Sequence, residues 1–282
     1  MTTDNPYLID TPALISFSGG RTSGFMLYKI LEAYNFNLLP DIYVCFANTG
    51  KERPETLDFV NECAKQWKVN IIWLEYQRHA PYYKEVSFEN ASREGQPFTE
   101  LIDTKKCLPS VFRRFCTADL KVRPITNLLK RKYKLDCWDM VIGLRYDEPQ
   151  RVANMKNNDS KDWSTVMPLH ENKITKRDIM TFWASQSFDL QLKPYQSNCE
   201  LCFLKSYKQK INIIESNPPS YTWWITQENK FVYQDKKQNK SLPVLFQRNG
   251  LTYKQLEEIA LSQESLFDLL NEDNPIDCFC TD

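Results

Sequence analysis

The stretch Leu14-Ile15-Ser16-Phe17-Ser18-Gly19-Gly20-Arg21-Thr22-Ser23-Gly24-Phe25 constrains the fold of this chain more than any other. Leu14, Ile15 and Phe17 form a short apolar run that ends in a Ser/Gly loop. Beyond the loop, Phe25, Met26, Leu27, Ile30 and Leu31 recur at helical spacing, so the segment reads as strand, loop and helix. Two adjacent glycines let the backbone turn tightly and come close to a ligand. Ser16, Ser18, Thr22 and Ser23 supply hydroxyls, and the helix start supplies N–H groups with no partner inside the helix. Such a combination cradles an anion. The alternative is a plain glycine turn in an α/β unit.

Neither common nucleotide loop fits. A Walker A loop needs Lys and Ser/Thr directly after Gly24, where Phe25 and Met26 stand, and no third glycine completes a dinucleotide fingerprint. Ser18 to Ser23 instead resembles the PP-loop, Ser-Gly-Gly-x-Asp-Ser, of adenine nucleotide alpha hydrolases, with Thr22 where those enzymes usually carry Asp. Farther along, Tyr43 to Phe46 forms a second apolar run ending at Asn48-Thr49-Gly50. Pro54 opens a helix bearing Leu57, Phe59 and Val60, and Asn70 to Tyr76 reads as a third strand. This alternation predicts an α/β fold: a doubly wound, mostly parallel sheet with its ligand crevice at the carboxyl ends of the strands.

Residues 79–106 read as a loop-rich insertion able to cover that crevice. Helical spacing returns at Ala118 to Tyr133, a strand follows at Asp139 to Leu144, and Thr175 with Asp178 marks the start of another helix. The expected organisation is a nucleotide-binding domain over residues 1–190 and a mainly helical, cysteine-containing segment over residues 191–282. Basic and acidic residues balance at 36 each, so the overall charge implies no long-range field for nucleic acid. The N-terminal residues lack the layout of a cleavable signal, and no run approaches a membrane span, so a cytoplasmic chain without a membrane partner is expected.

Nine cysteines against two histidines turn the chemistry toward sulfur, because a reducing compartment disfavours a disulfide framework and imidazole sites have little material. Four further stretches follow the loop in a fixed order: Asn48 to Thr56, Cys116 to Ile125, Gly143-Leu144-Arg145 with Arg151, and Met167-Pro168-Leu169 with Thr175 to Ile179. This series resembles the sulfonucleotide (phosphoadenylyl sulfate and adenylyl sulfate) reductases over about residues 12 to 205. The resemblance implies an adenine nucleotide held by Ser16, Ser18, Gly19, Gly20, Arg21, Thr22, Ser23, Asn48, Thr49, Gly50, Lys121, Gly143, Arg145 and Arg151. Guanidinium groups suit sulfate or phosphate, and Arg145 is the cation expected to act at the reacting centre.

In the cluster-containing adenylyl sulfate reductases, a Cys-x-x-Cys like Cys199-Glu200-Leu201-Cys202 joins a Cys-Cys pair to hold a 4Fe-4S cluster. Cys116 keeps the first of that pair and Thr117 replaces the second, which leaves Cys107, Cys278 or Cys280 for the fourth ligand. A zinc staple made of Cys199, Cys202, Cys278 and Cys280 is the alternative metal site, and a structural role without metal is the third. The tail Asp277-Cys278-Phe279-Cys280 loosely resembles the mobile nucleophile of the reductases. Cys278 would attack sulfur and Cys280 would resolve, with a thiol reductant such as thioredoxin as partner. The competing functions are an ATP-dependent adenylating sulfurtransferase and a non-catalytic nucleotide-binding module. Trp223, Trp224 and the Lys-rich residues 230–240 offer either nucleic-acid contacts or, for the tryptophans, helix packing.

Overall fold

Ala13, Leu14 and Ile15 are completely buried, the signature of a strand covered on both faces. They begin β1 (Ala13–Ser16) in a computed structural model that describes residues 5–156, 160–216, 221–235, 240–243, 245–246 and 250–262. After β1 come α1 (Arg21–Ala33), β2 (Ile42–Asn48), α2 (Pro54–Trp67), β3 (Ile71–Tyr76), β4 (Tyr83–Val86) and α3 (Gln96–Lys105). A single turn, α4 (Phe115–Thr117), runs through a π-helical stretch (Ala118–Val122) into α5 (Arg123–Arg131). β5 (Trp138–Ile142), α6 (Pro149–Lys156), β6 (Trp163–Val166), α7 (Pro168–Glu171) and α8 (Lys176–Ala184) complete this part. Beyond it lie α9 (Tyr207–Ser216), α10 (Thr222–Asn229), the hairpin β7 (Val232–Asp235) and β8 (Lys240–Pro243), and α11 (Tyr253–Ser262).

The six-stranded sheet has the order β4-β3-β2-β1-β5-β6, and all neighbours are parallel except β3 and β4. The chain winds outward from β1 in one direction through β2 and β3, then returns to its other side as β5 and β6. That reversal opens a crevice between the carboxyl ends of β1 and its neighbours. The expected α/β doubly wound fold is therefore observed. The capping box at the head of α8 is formed as read, with Thr175 Oγ1 and Asp178 Oδ2 2.7 Å apart. Among the described residues, no helix is long and apolar enough to cross a membrane.

Residues 79–106 depart from the expected loop. They contain β4, an antiparallel edge strand pairing Tyr76 with Tyr83, and α3, whose Phe98, Leu101 and Ile102 are buried. That apolar face packs into a second core with Leu201, Phe203, Trp224 and Tyr253, whereas Phe17, Met26, Ile30 and Val60 belong to the core of the sheet. Residues 96–120 thus share a hydrophobic core with the helices after residue 200. Trp224 is fully buried there, and Trp223 donates from Nε1 to Thr99 Oγ1 at 3.0 Å, so both tryptophans serve packing. The described part of the Lys-rich tract holds Lys230, which pairs with Asp103, and the β7–β8 hairpin.

Glu228 is a buried carboxyl in this second core. It accepts the Tyr253 amide at 2.7 Å, yet desolvation dominates and pushes its pKa up to about 7. A raised carboxyl pKa means that the folded state holds a proton which the unfolded chain releases at lower pH. Stability from this group is greatest below the unfolded value and falls as pH rises toward about 7. The loss is about 3 kcal/mol at 1.36 kcal/mol per pH unit. In urea unfolding at pH 5 and pH 8, Glu228→Gln should therefore lose less stability between the two pH values than the wild type does.

Candidate nucleotide site

The Ser/Gly loop lies where β1 ends and α1 begins. Gly19 has φ +80°, and a Cβ placed on it would stand 2.8 Å from Thr56 Cγ2 and 3.0 Å from Val60 Cγ2. Glycine is required both for the backbone conformation and for the close approach of α2. On the other side, a Cβ on Gly143 would stand 3.2 Å from Ser23 Cα, so the end of β5 also closes on the loop. Within the loop, the Ser18 and Ser23 hydroxyls lie 2.8 Å apart, Ser23 Oγ accepts the Ser18 amide and donates to the Gly20 carbonyl. The hydroxyls are thus gathered at the positive end of a thirteen-residue helix.

A cavity of about 550 Å³ opens directly above, within the usual size of small-molecule sites. Its polar lining includes Ser16, Ser18, Ser23, Lys121 and Arg151, with Gly143; its apolar lining includes Phe17, Ile125, Met140, Ile142, Met155 and Trp163. Arg114 and Thr117 line it as well, which brings the segment around Cys116 to the edge of the cavity. Sequence reading passed over these two as cavity residues, although the Arg113-Arg114 pair, separated from Cys116 by Phe115 alone, was the available signal. Cys45 also lines the cavity, and burial drives its thiol far above the ordinary range, which leaves it protonated and unreactive.

Several expected ligand residues have other partners. Arg21 forms a two-pronged pair with Asp189 at 2.8 Å, tying the head of α1 to the segment after α8. Arg145 is buried; its Nη1 donates to Thr22 Oγ1 at 3.1 Å and its Nε to Asp147 at 2.9 Å, so it braces the loop from behind. Although partial burial opposes ionisation, the Lys176 amide and Arg145 hold Asp147 below the usual carboxylate range. Arg151 is paired with Glu148 at the cavity wall. Asn48 bonds Glu75 and the Ser92 carbonyl, Gly50 donates to Asn48, and Thr49 bonds Glu52; all three are buried beside the cavity rather than lining it.

This Asn48–Arg53 loop is clamped to the cysteine turn. Glu52 and Cys199 form an antiparallel bridge, the Arg53 amide donates to Asn198 O at 2.8 Å, and Lys51 pairs with Glu200 at 2.8 Å. Asn198 in turn donates from Nδ2 to the Ser18 carbonyl at 2.9 Å. Glu52 Oε1 lies 3.5 Å from Lys121 Nζ, which links the turn to the cavity wall.

Residues 12–191 match the phosphoadenosine phosphosulfate reductase domain. The chain belongs to that family. It is also similar to the uncharacterized nin region protein ORF290 of Escherichia phage lambda, 29% identical over 71% of this chain and 68% of that one. Two uncharacterized proteins of Methanocaldococcus jannaschii are 29% and 26% identical, and the chain spans only 24% and 28% of their length. Among solved structures, a U34-tRNA thiolase, NcsA, from Methanococcus maripaludis with its 4Fe-4S cluster aligns at 16% identity over 77% of this chain and 71% of that one. The TM-score is 0.38, too low for its ligands to be carried across.

The reductase domain match ends before Cys199. Cys116, Cys199 and Cys202 all border the second core. Among the described residues, however, no three Cys, His, Asp or Glu side chains come close enough to hold a metal ion. Cys202 is turned into the apolar core beside Leu201 and Phe203, while Cys107 follows the left-handed end of α3 at Lys106. Cys278 and Cys280, as nucleophile, resolving thiol or zinc ligands, lie outside the described residues.

Gly19→Ala tests the loop packing. It would combine a left-handed backbone with a methyl group forced against Thr56, and should lower stability by about 1–3 kcal/mol in chemical denaturation.

Proposed function

We propose that this family member is an adenine nucleotide-dependent enzyme of thiol sulfur chemistry, with sulfonucleotide reduction as its reaction. The observation that carries the reading is the mixed polar and apolar lining of the cavity beside the Ser/Gly loop. A nucleotide laid along it places the base among Phe17, Ile142 and Trp163 and its anionic end against Ser18, Ser23, Lys121 and Arg151. Charge-assisted hydrogen bonds from these groups suit a sulfate or phosphate, and the apolar end suits a purine ring. A thiolate attacks the sulfur of adenylyl sulfate or phosphoadenylyl sulfate, forming a sulfur–sulfur bond and releasing the nucleotide. A second thiol then attacks that cysteine sulfur, sulfite leaves with the electron pair, and the two thiols end as a disulfide. A thiol reductant such as thioredoxin restores the dithiol. Cys278 and Cys280 are the residues we assign to these steps.

The second reading is an adenylating sulfurtransferase that uses ATP in the same cavity and acts on a nucleic acid or a small molecule. The Ser-Gly-Gly loop favours it, as does Thr22, whose hydroxyl rather than a carboxylate meets Arg145. Incubation with ATP, adenylyl sulfate and phosphoadenylyl sulfate separates the two. Sulfite release with a thiol reductant is expected, and pyrophosphate release without sulfite assigns the sulfurtransferase instead. Lys121→Ala and Arg151→Ala should each weaken nucleotide binding about tenfold to a hundredfold in calorimetric titration, the loss of one hydrogen bond to a charged group.

A further inference from the structure

The fifteen residues between Asp103 and Asp119 carry Lys105, Lys106, Arg113 and Arg114 and no acidic residue. In their middle the chain reverses tightly: the Ser110 amide donates to the Arg113 carbonyl at 3.2 Å, and the Arg113 amide to the Ser110 carbonyl at 3.0 Å. Val111 and Phe112 fill the two central positions, where Gly, Asn or Asp is the usual choice. The turn is anchored on both sides, because Leu108 is buried in the second core and Val111 and Phe115 pack against it. Phe112 is left 80% exposed, more than any other large apolar side chain among the described residues.

A single exposed ring is ordinary on a protein surface. This one is set apart by its neighbours. Arg113 next to it and Lys106 at the end of α3 are exposed, and Arg114 lines the nucleotide cavity together with Thr117. Phe112 and Arg114 are two residues apart, at most about 7 Å of chain, so the turn holds the ring close to the rim of the cavity. The acids that flank the segment are engaged: Asp119 pairs with Lys105 at 2.9 Å and Arg123 at 3.4 Å, and Asp103 with Lys230 at 3.0 Å.

We propose that the Phe112 turn is the landing surface for a single-stranded polynucleotide. An unstacked base lies on the Phe112 ring, backbone phosphates meet Lys106 and Arg113, and the adjoining nucleotide is directed past Arg114 toward the cavity. Every base has a π-face, so a rigid ring flanked by cations suits a strand of any sequence. A duplex hides those faces, and a protein partner needs a wider apolar patch than one ring. The surface deepens the second reading, with nucleic acid as the acceptor, and it rests on the cavity as the nucleotide site for its use; strand and nucleotide binding are therefore measured apart.

Fluorescence anisotropy of labelled DNA and RNA oligonucleotides of about 12 nucleotides, titrated with the full chain, tests it. Wild type should bind the single strands and bind a duplex of the same sequence more weakly. Phe112→Ser should lose about fivefold to a hundredfold in strand affinity, and Phe112→Trp should retain it. Lys106→Ala and Arg113→Ala should each flatten the plot of log affinity against log salt by about 0.7, whereas Phe112→Ser leaves that slope unchanged. A preference between the two strands tells RNA from DNA through the 2′-hydroxyl. Phe112→Ser should melt with wild type and bind a non-hydrolysable ATP analogue equally well. Absence of strand binding by wild type, equal binding by Phe112→Ser, or equal binding of the duplex overturns the surface and leaves the nucleotide reading intact. Strand binding by a wild type that takes no nucleotide overturns the nucleotide reading alone.

Discussion

The short bridge between Glu52 and Cys199 is the contact on which the rest of the site depends. It joins the loop after β2 to the turn after residue 197, and with it joins the core of the sheet to the helical core that α3 shares with α9, α10 and α11. Lys51 and Glu200 close the same junction with a buried ion pair, and Asn198 carries the connection to the carbonyl of Ser18. Removing one partner of a buried pair leaves an uncompensated charge, a cost of about 3–5 kcal/mol. The anion loop, the cysteine turn and the cavity wall are therefore positioned by one set of contacts.

That junction also explains where several polar residues point. The Thr49 amide and hydroxyl are held by Glu52, and the Asn48 amide by Glu75, because the loop must satisfy its buried groups before it can carry the bridge. Arg145 has the same kind of task behind the anion loop, where it holds Thr22 and Asp147. Lys121, Arg151 and Arg114 line the cavity, Lys121 while paired with Glu52 and Arg151 while paired with Glu148.

Much of the fold was legible in the chain. The strands at β1, β2, β3 and β5 read as short apolar runs bounded by turn residues, and the capping residues Thr175 and Asp178 announced α8. What was missed has a common cause. β4 and β6 are four-residue edge strands whose residues are mostly not buried, and α3 hides its apolar face under tryptophans from more than a hundred residues away. Such elements are defined by distant partners rather than by their own periodicity. In the site, the loop residues Ser18 and Ser23, with Lys121, Gly143 and Arg151, do line the cavity. Arg21, an equally good candidate by charge and position, was taken by Asp189, 168 residues later.

The sequence by itself determined the strand–loop–helix unit with its glycine turn, the parallel order that follows from alternating strands and helices, and membership in the reductase domain family. Local sterics and hydrophobic period decide those features, and both are written in neighbouring residues. Only the tertiary structure decided which cations line the cavity, that the tryptophans serve packing, and that Arg21 pairs with Asp189. These depend on pairs far apart in the chain, where a charge or a thiol finds its partner only after the sheet and the helical core have closed on each other.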